Sequence, residues 1–373
     1  MRYITPAHQD ATRRVVHKSH RQHHVTPVSA PLHVITVVTN PHRYYTRYKL
    51  YHAFEKMVAD AGGVLWTVEM ATRDRHFEVT QHGNPHHIQL RSPDVLWHKE
   101  NLINIGMSWL PEDWEYVAWI DADVQFTRTD WVTETIHQLQ IYKIVQMWTH
   151  SIDLGPDSEH NAVSYQQPIA ECQSLFYSYM RDRSILKPID RTLKATGNGD
   201  GNKKATGRGP GIWDTHDDAY VKPKGKGLLH TGYAWAARRS AIADLGGLGE
   251  IGILGSGDRH MAYALLGEVA RSYDPRLKQN YKDYWLEWQE RAETHIQRKV
   301  GVVPGTLLHH WHGSKQHRRY QDRWKILIDD DFDWQKDLKK DPQGVWALTP
   351  RNWHLRDDII AYFQVRNEDE NTL

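Results

Sequence analysis

Hydrophobic and polar positions alternate along the chain in a way that predicts strands separated by amphipathic helices. Leu32 to Val38 (LHVITVV) is a β-branched run of strand length, and it stops at Thr39-Asn40-Pro41, where the proline and its polar neighbours mark a loop. From Arg43 to Ala61 the residues Tyr44, Tyr48, Tyr51, Phe54, Met57 and Val58 recur at three- and four-residue spacing, and Gly62-Gly63 follow as a stop. Val64 to Glu69 (VLWTVE) reads as a second strand, which gives a β-α-β unit with parallel strands. A helical pattern around Leu96 to Leu110 precedes a short buried strand, Tyr116 to Ile120 (YVAWI), that runs directly into Asp121-Ala122-Asp123. Asp130 is placed to cap a helix reaching Tyr142, and Ile144 to Trp148 is a fourth strand.

Beyond residue 150 the pattern is interrupted. Lys194 to Gly227 is rich in Gly, Lys and Pro and reads as a long irregular loop, either a disordered excursion or a lid over a ligand. After it come a strand from Leu228 to Ala236, a short helix from Arg239 to Leu245, and a helix from Arg259 to Val269 opened by Asp258. A last long helix from Tyr284 to Lys299 carries Trp285, Trp288 and Ile296 on one side. Strands alternating with helices over the first 150 residues predict an α/β fold with an open sheet, in which ligands bind at the carboxyl ends of the strands.

Composition adjusts this picture only locally. Hydrophobic residues make up 39% and charged residues 25% of the 373, as in an ordinary globular domain, while 16 Trp and 25 His exceed common usage. Net charge is +1, so the overall field argues neither for nor against nucleic acid. Residues 1 to about 30, with Arg2, Arg13, Arg14, Lys18 and Arg21 against Asp10, read as a flexible basic arm. Cys172 stands alone, so any metal must be held by carboxylates and imidazoles. The sequence shows no apolar run of spanning length and no secretory signal, which leads to the expectation of a cytoplasmic protein off the membrane.

Three segments can carry chemistry. Asp121 and Asp123 follow a buried strand, where two carboxylates suit a hard divalent ion that also bridges diphosphate oxygens. His309, His310 and His312 can complete such a site, and Lys315 and Arg318 just after them offer donors to a diphosphate. Asp258, in the glycine turn GSGD, is either a helix N-cap or a general base for an acceptor hydroxyl.

From about residue 32 to about residue 330, these pieces together resemble the GT-A glycosyltransferases, and more closely the family-2-like enzymes met in tailed bacteriophages. The resemblance implies a Rossmann-like open mixed sheet in one large domain (31–330, with a nucleotide-sugar half to 150 and an acceptor half after it) and a C-terminal extension, 331–373, packed on it. It implies that Asp121 and Asp123 hold Mn2+ or Mg2+ against the donor, that His312, with His309 second, completes the metal shell, and that Asp258 is the base of an inverting transfer. Lys99, Asn101 and Asn104 resemble the segment that contacts the nucleotide, Thr39 and Glu69 resemble the positions that hold the nucleoside, and Arg43 is a further candidate for binding the donor. The short acidic signature usual after the second strand is replaced by Glu69-Met70-Ala71-Thr72. UDP-sugar is the implied donor, and the phage relatives imply hydroxymethylated pyrimidines in double-stranded DNA as acceptor, the host cytoplasm being the place of action. Polysaccharide or protein acceptors, a non-catalytic nucleic-acid or sugar-binding module, and a metal-dependent phosphodiesterase are the competing readings, and the oligomeric state is not legible.

Overall fold

The computed structural model describes residues 30–157, 166–186, 228–319 and 322–370. The basic arm and the Gly/Lys-rich segment 194–227 lie outside the described residues. Pro31–Leu373 forms one compact unit.

The first half of that unit contains β1 (Leu32–Thr39), α1 (Tyr45–Asp60), β2 (Val64–Thr72), β3 (His87–Ser92), α2 (Lys99–Ser108), β4 (Tyr116–Ile120), β5 (Val124–Phe126), α3 (Trp131–Ile141) and β6 (Ile144–Gln146). Then come β7 (His150–Asp157), β8 (Gln166–Ser174), α4 (Leu175–Arg181), β9 (Leu228–His230), β10 (Ala234–Arg238), α5 (Arg239–Leu245), α6 (Gly257–Leu265) and α7 (Gln279–His295). The chain closes with β11 (Gly301–Val302), β12 (Thr306–His309), α8 (Asp322–Asp329), α9 (Trp334–Asp337), β13 (Leu338–Lys340), β14 (Trp346–Leu348) and α10 (Trp353–Gln364).

Seven strands form the main sheet in the order β11-β6-β10-β4-β1-β2-β3. β3, β2, β1 and β4 run parallel, and β10 lies antiparallel between β4 and β6. This is the expected mixed α/β sheet flanked by helices. β4 is buried at all five positions, which its unbroken apolar run requires of a strand covered on both faces. On one side α2 and α7 pack Leu102, Ile103, Trp285 and Trp288 into the core, each at most 2% exposed. α7 starts at Gln279, a full turn before the expected Tyr284, so Tyr281 joins the same buried face.

A second sheet, β5-β12-β7-β8-β9, was not anticipated. Its strands are short or polar, as in β8 (QQPIAECQS), and no apolar alternation marks them. Leu228 to Ala236, expected as one strand, is two: β9 joins the second sheet and β10 the first. The break is at Tyr233, whose φ of 77° lies in the left-handed region and turns the chain from one sheet to the other.

Candidate metal centre and cleft

β4 ends at Ile120 and β5 begins at Val124, and the turn between them carries Asp121 and Asp123. β5 pairs antiparallel with β12, setting His309 opposite Val124, and the His310 amide donates to the Asp123 carbonyl at 2.8 Å. Strand register therefore brings the acidic turn and the histidine segment together from distant parts of the sequence. Ligand atoms of Asp123, His309 and His312 all lie within 4.8 Å of one another. Asp123 Oδ2 is 3.3 Å from His312 Nε2 and 3.9 Å from His309 Nε2.

The tautomers follow from the partners. His309 Nδ1 faces Asp153 Oδ1 at 2.8 Å, and His312 Nδ1 faces the His310 carbonyl at 3.0 Å. Both partners accept, so each Nδ1 carries a proton and each Nε2 is the ring nitrogen that faces Asp123. Burial, with Arg318 and His309 nearby, holds the His312 imidazole well below its usual range, so it is neutral. Asp123 Oδ1 is buried without a hydrogen-bond partner. A buried carboxylate oxygen left unsatisfied beside two imidazole nitrogens fits a divalent cation, which would restore what burial removed and would take the place of the Arg318 donor at His312 Nε2.

Two residues earlier the chemistry is different. Asp121 is ion-paired with Lys99 at the start of α2. Burial raises the Asp121 carboxyl above its ordinary value, with Asp123 adding to the effect and Lys99 opposing it, although 28% of its side-chain surface still faces the cleft. Burial works against the Lys99 charge, but Asp121, Asp258 and Glu100 outweigh it and raise the ammonium above its ordinary value. Glu100, next along α2, is pushed up to about 7 by burial, with Asp258 reinforcing the shift against Lys99. Asp258 lies in the first turn of α6, its Oδ1 accepting from the Arg259 amide at 2.8 Å. Two glycines make room for this group: a Cβ on Gly232 would stand 2.5 Å from Asp258 Oδ2, and one on Gly257 would stand 2.4 Å from the Glu100 carboxyl carbon.

The remaining wall is cationic. Arg47 of α1 donates to the Thr39 carbonyl at 2.7 Å and through Nη2 to Glu368 at 2.6 Å. Burial tends to raise the Glu368 carboxyl, but Arg47, helped by Arg366 and Arg318, holds it below the usual carboxylate range. Asp369 accepts from the Tyr45 and Thr46 amides at 2.9 Å each and so caps α1. Arg318 donates to His312 Nε2 at 2.7 Å.

One cavity is lined by Thr39, Lys99, Asp121, Asp123, Asp258, His309, His312 and Arg318, all singled out from sequence. The others separate from it. Glu69 and Arg43 border a neighbouring cavity. There Glu69 accepts from the Glu78, Val79 and Thr80 amides and the Thr80 hydroxyl at 2.6–3.1 Å, which commits it to fastening the loop after β2. Arg43 pairs with Glu78 at 3.0 Å at the surface. Asn101 and Asn104 do not line this cavity. Asn101 binds Glu250 and the Gly344 carbonyl, and Asn104 grips both polar groups of Leu248, so each is a fastener on the far side of α2. Asp121 stands outside the three-ligand group, because Lys99 holds its carboxylate. Lys315 opens a 3-10 turn, and its side chain lies outside the described residues. Sequence reading missed Arg47, Glu100, Asp153, Tyr233 and Glu368; of these only Glu100, beside Lys99, stood next to a residue already marked.

No known family model matches the chain, and no curated protein matches it in sequence. Among solved structures it is similar to the catalytic domain of Drosophila beta1,4-galactosyltransferase 7 in complex with xylobiose, at 11% identity and a TM-score of 0.33, over 86% of this chain and 94% of that one. A mutant of the same Drosophila enzyme, in complex with manganese, UDP-Gal and xylobiose, gives 11% identity and a TM-score of 0.31, over 78% of this chain and 74% of that one. Scores this low carry no argument. Among the described residues no helix is long and apolar enough to cross a membrane.

Proposed function

We propose that this chain is a metal-dependent glycosyltransferase that takes a sugar from a nucleotide-diphosphate donor, UDP by preference. The observation that carries the reading is the convergence of Asp123, His309 and His312 in a cavity whose other walls hold a carboxylate, Asp258, and the cations Lys99, Arg47 and Arg318. Two imidazoles and one carboxylate suit manganese, which when bound supplies Lewis-acid charge to diphosphate oxygens. Arg318 and Lys99 neutralise the charge that grows as the C1–O bond breaks and its electron pair leaves with the diphosphate. Asp258 takes the proton of the acceptor hydroxyl while that oxygen bonds to C1 from the opposite face, an inverting displacement. A two-metal phosphodiesterase needs a second ligand group, and among the described residues one such group is found.

For the acceptor we infer the hydroxymethyl group of a pyrimidine in phage DNA. The resemblance to phage enzymes supports this, as do the half-buried aromatic rings of Trp97 and His230 that line the cleft, against which an extruded base can pack. A thermal-shift panel of sugar nucleotides with manganese, followed by mass spectrometry of hydroxymethyl-DNA treated with the best binder, tests both levels. A manganese-dependent shift with one UDP-sugar and a hexose-sized mass gain on the DNA is the expected result. No shift with any sugar nucleotide overturns the transferase reading, and a shift with transfer only to saccharide or protein overturns the acceptor.

A further inference from the structure

We infer that Asp153 and Tyr233 are positioning residues of the metal centre: a buried carboxylate and a phenol that together fix His309 with its Nε2 aimed at Asp123. The inference rests on the metal-site reading above. β12 and β7 run parallel, and their register sets His309 beside Asp153. In β7 the buried positions are Ser151, Asp153 and Gly155, so Asp153 occupies an inward-facing site where packing alone would call for an apolar side chain. It is 1% exposed, and an unpaired carboxylate there would be costly. Its Oδ1 receives two hydrogen bonds at 2.8 Å, one from His309 Nδ1 and one from the Tyr233 hydroxyl. A carboxylate accepting from the far nitrogen of an imidazole fixes the ring and its tautomer and raises the basicity of the other nitrogen, which is the one a metal takes.

Tyr233 is held at three points. Its ring lies 4.7 Å from that of His309, its hydroxyl reaches Asp153, and its carbonyl accepts from the Asp121 amide at 2.8 Å. Its φ of 77° is unfavourable for a bulky side chain, and such geometry persists where surrounding contacts over-determine it. One residue thus ties the acidic turn to the support of His309.

The test is a manganese titration of the full-length protein followed by electron paramagnetic resonance, with metal-free thermal melts alongside. Asp153→Asn is expected to weaken manganese binding about 10- to 100-fold, the usual effect of removing an outer support. Tyr233→Phe keeps the ring and is expected to weaken it several-fold with little change in the metal-free melt. Nitrogen NMR of His309 should show the Nδ1–H tautomer in the wild type and a mixture in Asp153→Asn. If Asp123→Asn abolishes binding while Asp153→Asn and Tyr233→Phe bind manganese as tightly as the wild type, the inference is wrong and the metal site stands. If the wild type does not bind manganese, or Asp123→Asn binds it equally well, both fail. Should Asp153→Asn not fold, Tyr233→Phe and the wild-type tautomer decide.

Discussion

Asp121 and Asp123 leave the same strand two residues apart, yet the two sides of Ala122 handle a half-buried carboxylate differently. On the Asp121 side an ammonium supplies the compensation: Lys99 stands among Asp121, Asp258 and Glu100, and the cluster carries its own counter-charge. On the Asp123 side stand the imidazoles of His309 and His312, with Arg318 donating to His312 Nε2, and one carboxylate oxygen is left unsatisfied. The first arrangement is complete as folded. In the reading proposed above the second is completed by a cation, and that difference distinguishes a scaffolded acid from a proposed metal ligand more sharply than the motif can.

Substitutions that exchange the two sides test the contrast. Asp123→Asn should lower transfer by roughly 10²–10³-fold or more and abolish the manganese-dependent thermal shift, whereas Asp121→Asn should leave manganese affinity near wild type, both read by titration and a labelled-donor assay. Lys99→Met strips the counter-charge from the Asp121 side and should cost about 3–5 kcal/mol in denaturant unfolding. Equal loss of manganese affinity in Asp121→Asn and Asp123→Asn would erase the distinction.

Glu100 provides a pH-dependent version of the same comparison. Its carboxyl is raised from 4.5 to about 7, so the folded state binds its proton more tightly than the unfolded chain does. The stability it contributes is full below the unfolded value and is lost as pH rises through about 7. Glu100→Gln should therefore gain on the wild type by roughly 3 kcal/mol between about pH 4 and about pH 8, measured by urea melts at each pH. A difference independent of pH would show that the Glu100 carboxyl binds its proton equally well in the folded and unfolded states. The smallest effect is expected at Asp369→Ala, which removes the cap of α1 and should cost about 1 kcal/mol while leaving the metal ligands in place.

The sequence was informative wherever one element carried its own signal. YVAWI is β4 at the predicted bounds, Arg239–Leu245 is α5, and the run before Thr39 is β1, because apolar periodicity and a following breaker are local properties. Asp130 sits where a cap was expected before α3 but makes no side-chain cap bond, since Arg128 draws its carboxylate away. The convergence of Asp123 with His309 and His312 could be guessed from residue type. Its cause, the β5–β12 pairing, could not, because register between distant short strands leaves no trace in either segment. Asp153 was hidden for the same reason: a lone acid in a polar strand looks exposed until its neighbour strand is known. Asn101 and Asn104 lie off the cavity that Lys99 lines, and sequence does not separate the two cases, because a polar residue on a helix near a cavity reads the same whether it points to the cavity or away.

The β5–β12 pairing has a temporal consequence as well. During synthesis Asp123 emerges long before His309 and His312, so a nascent chain carries one third of a metal site until nearly all of the sheet is made. Metal occupancy then reports completion of the fold, and a chain truncated before β12 should acquire neither the ion nor the stability that binding it confers.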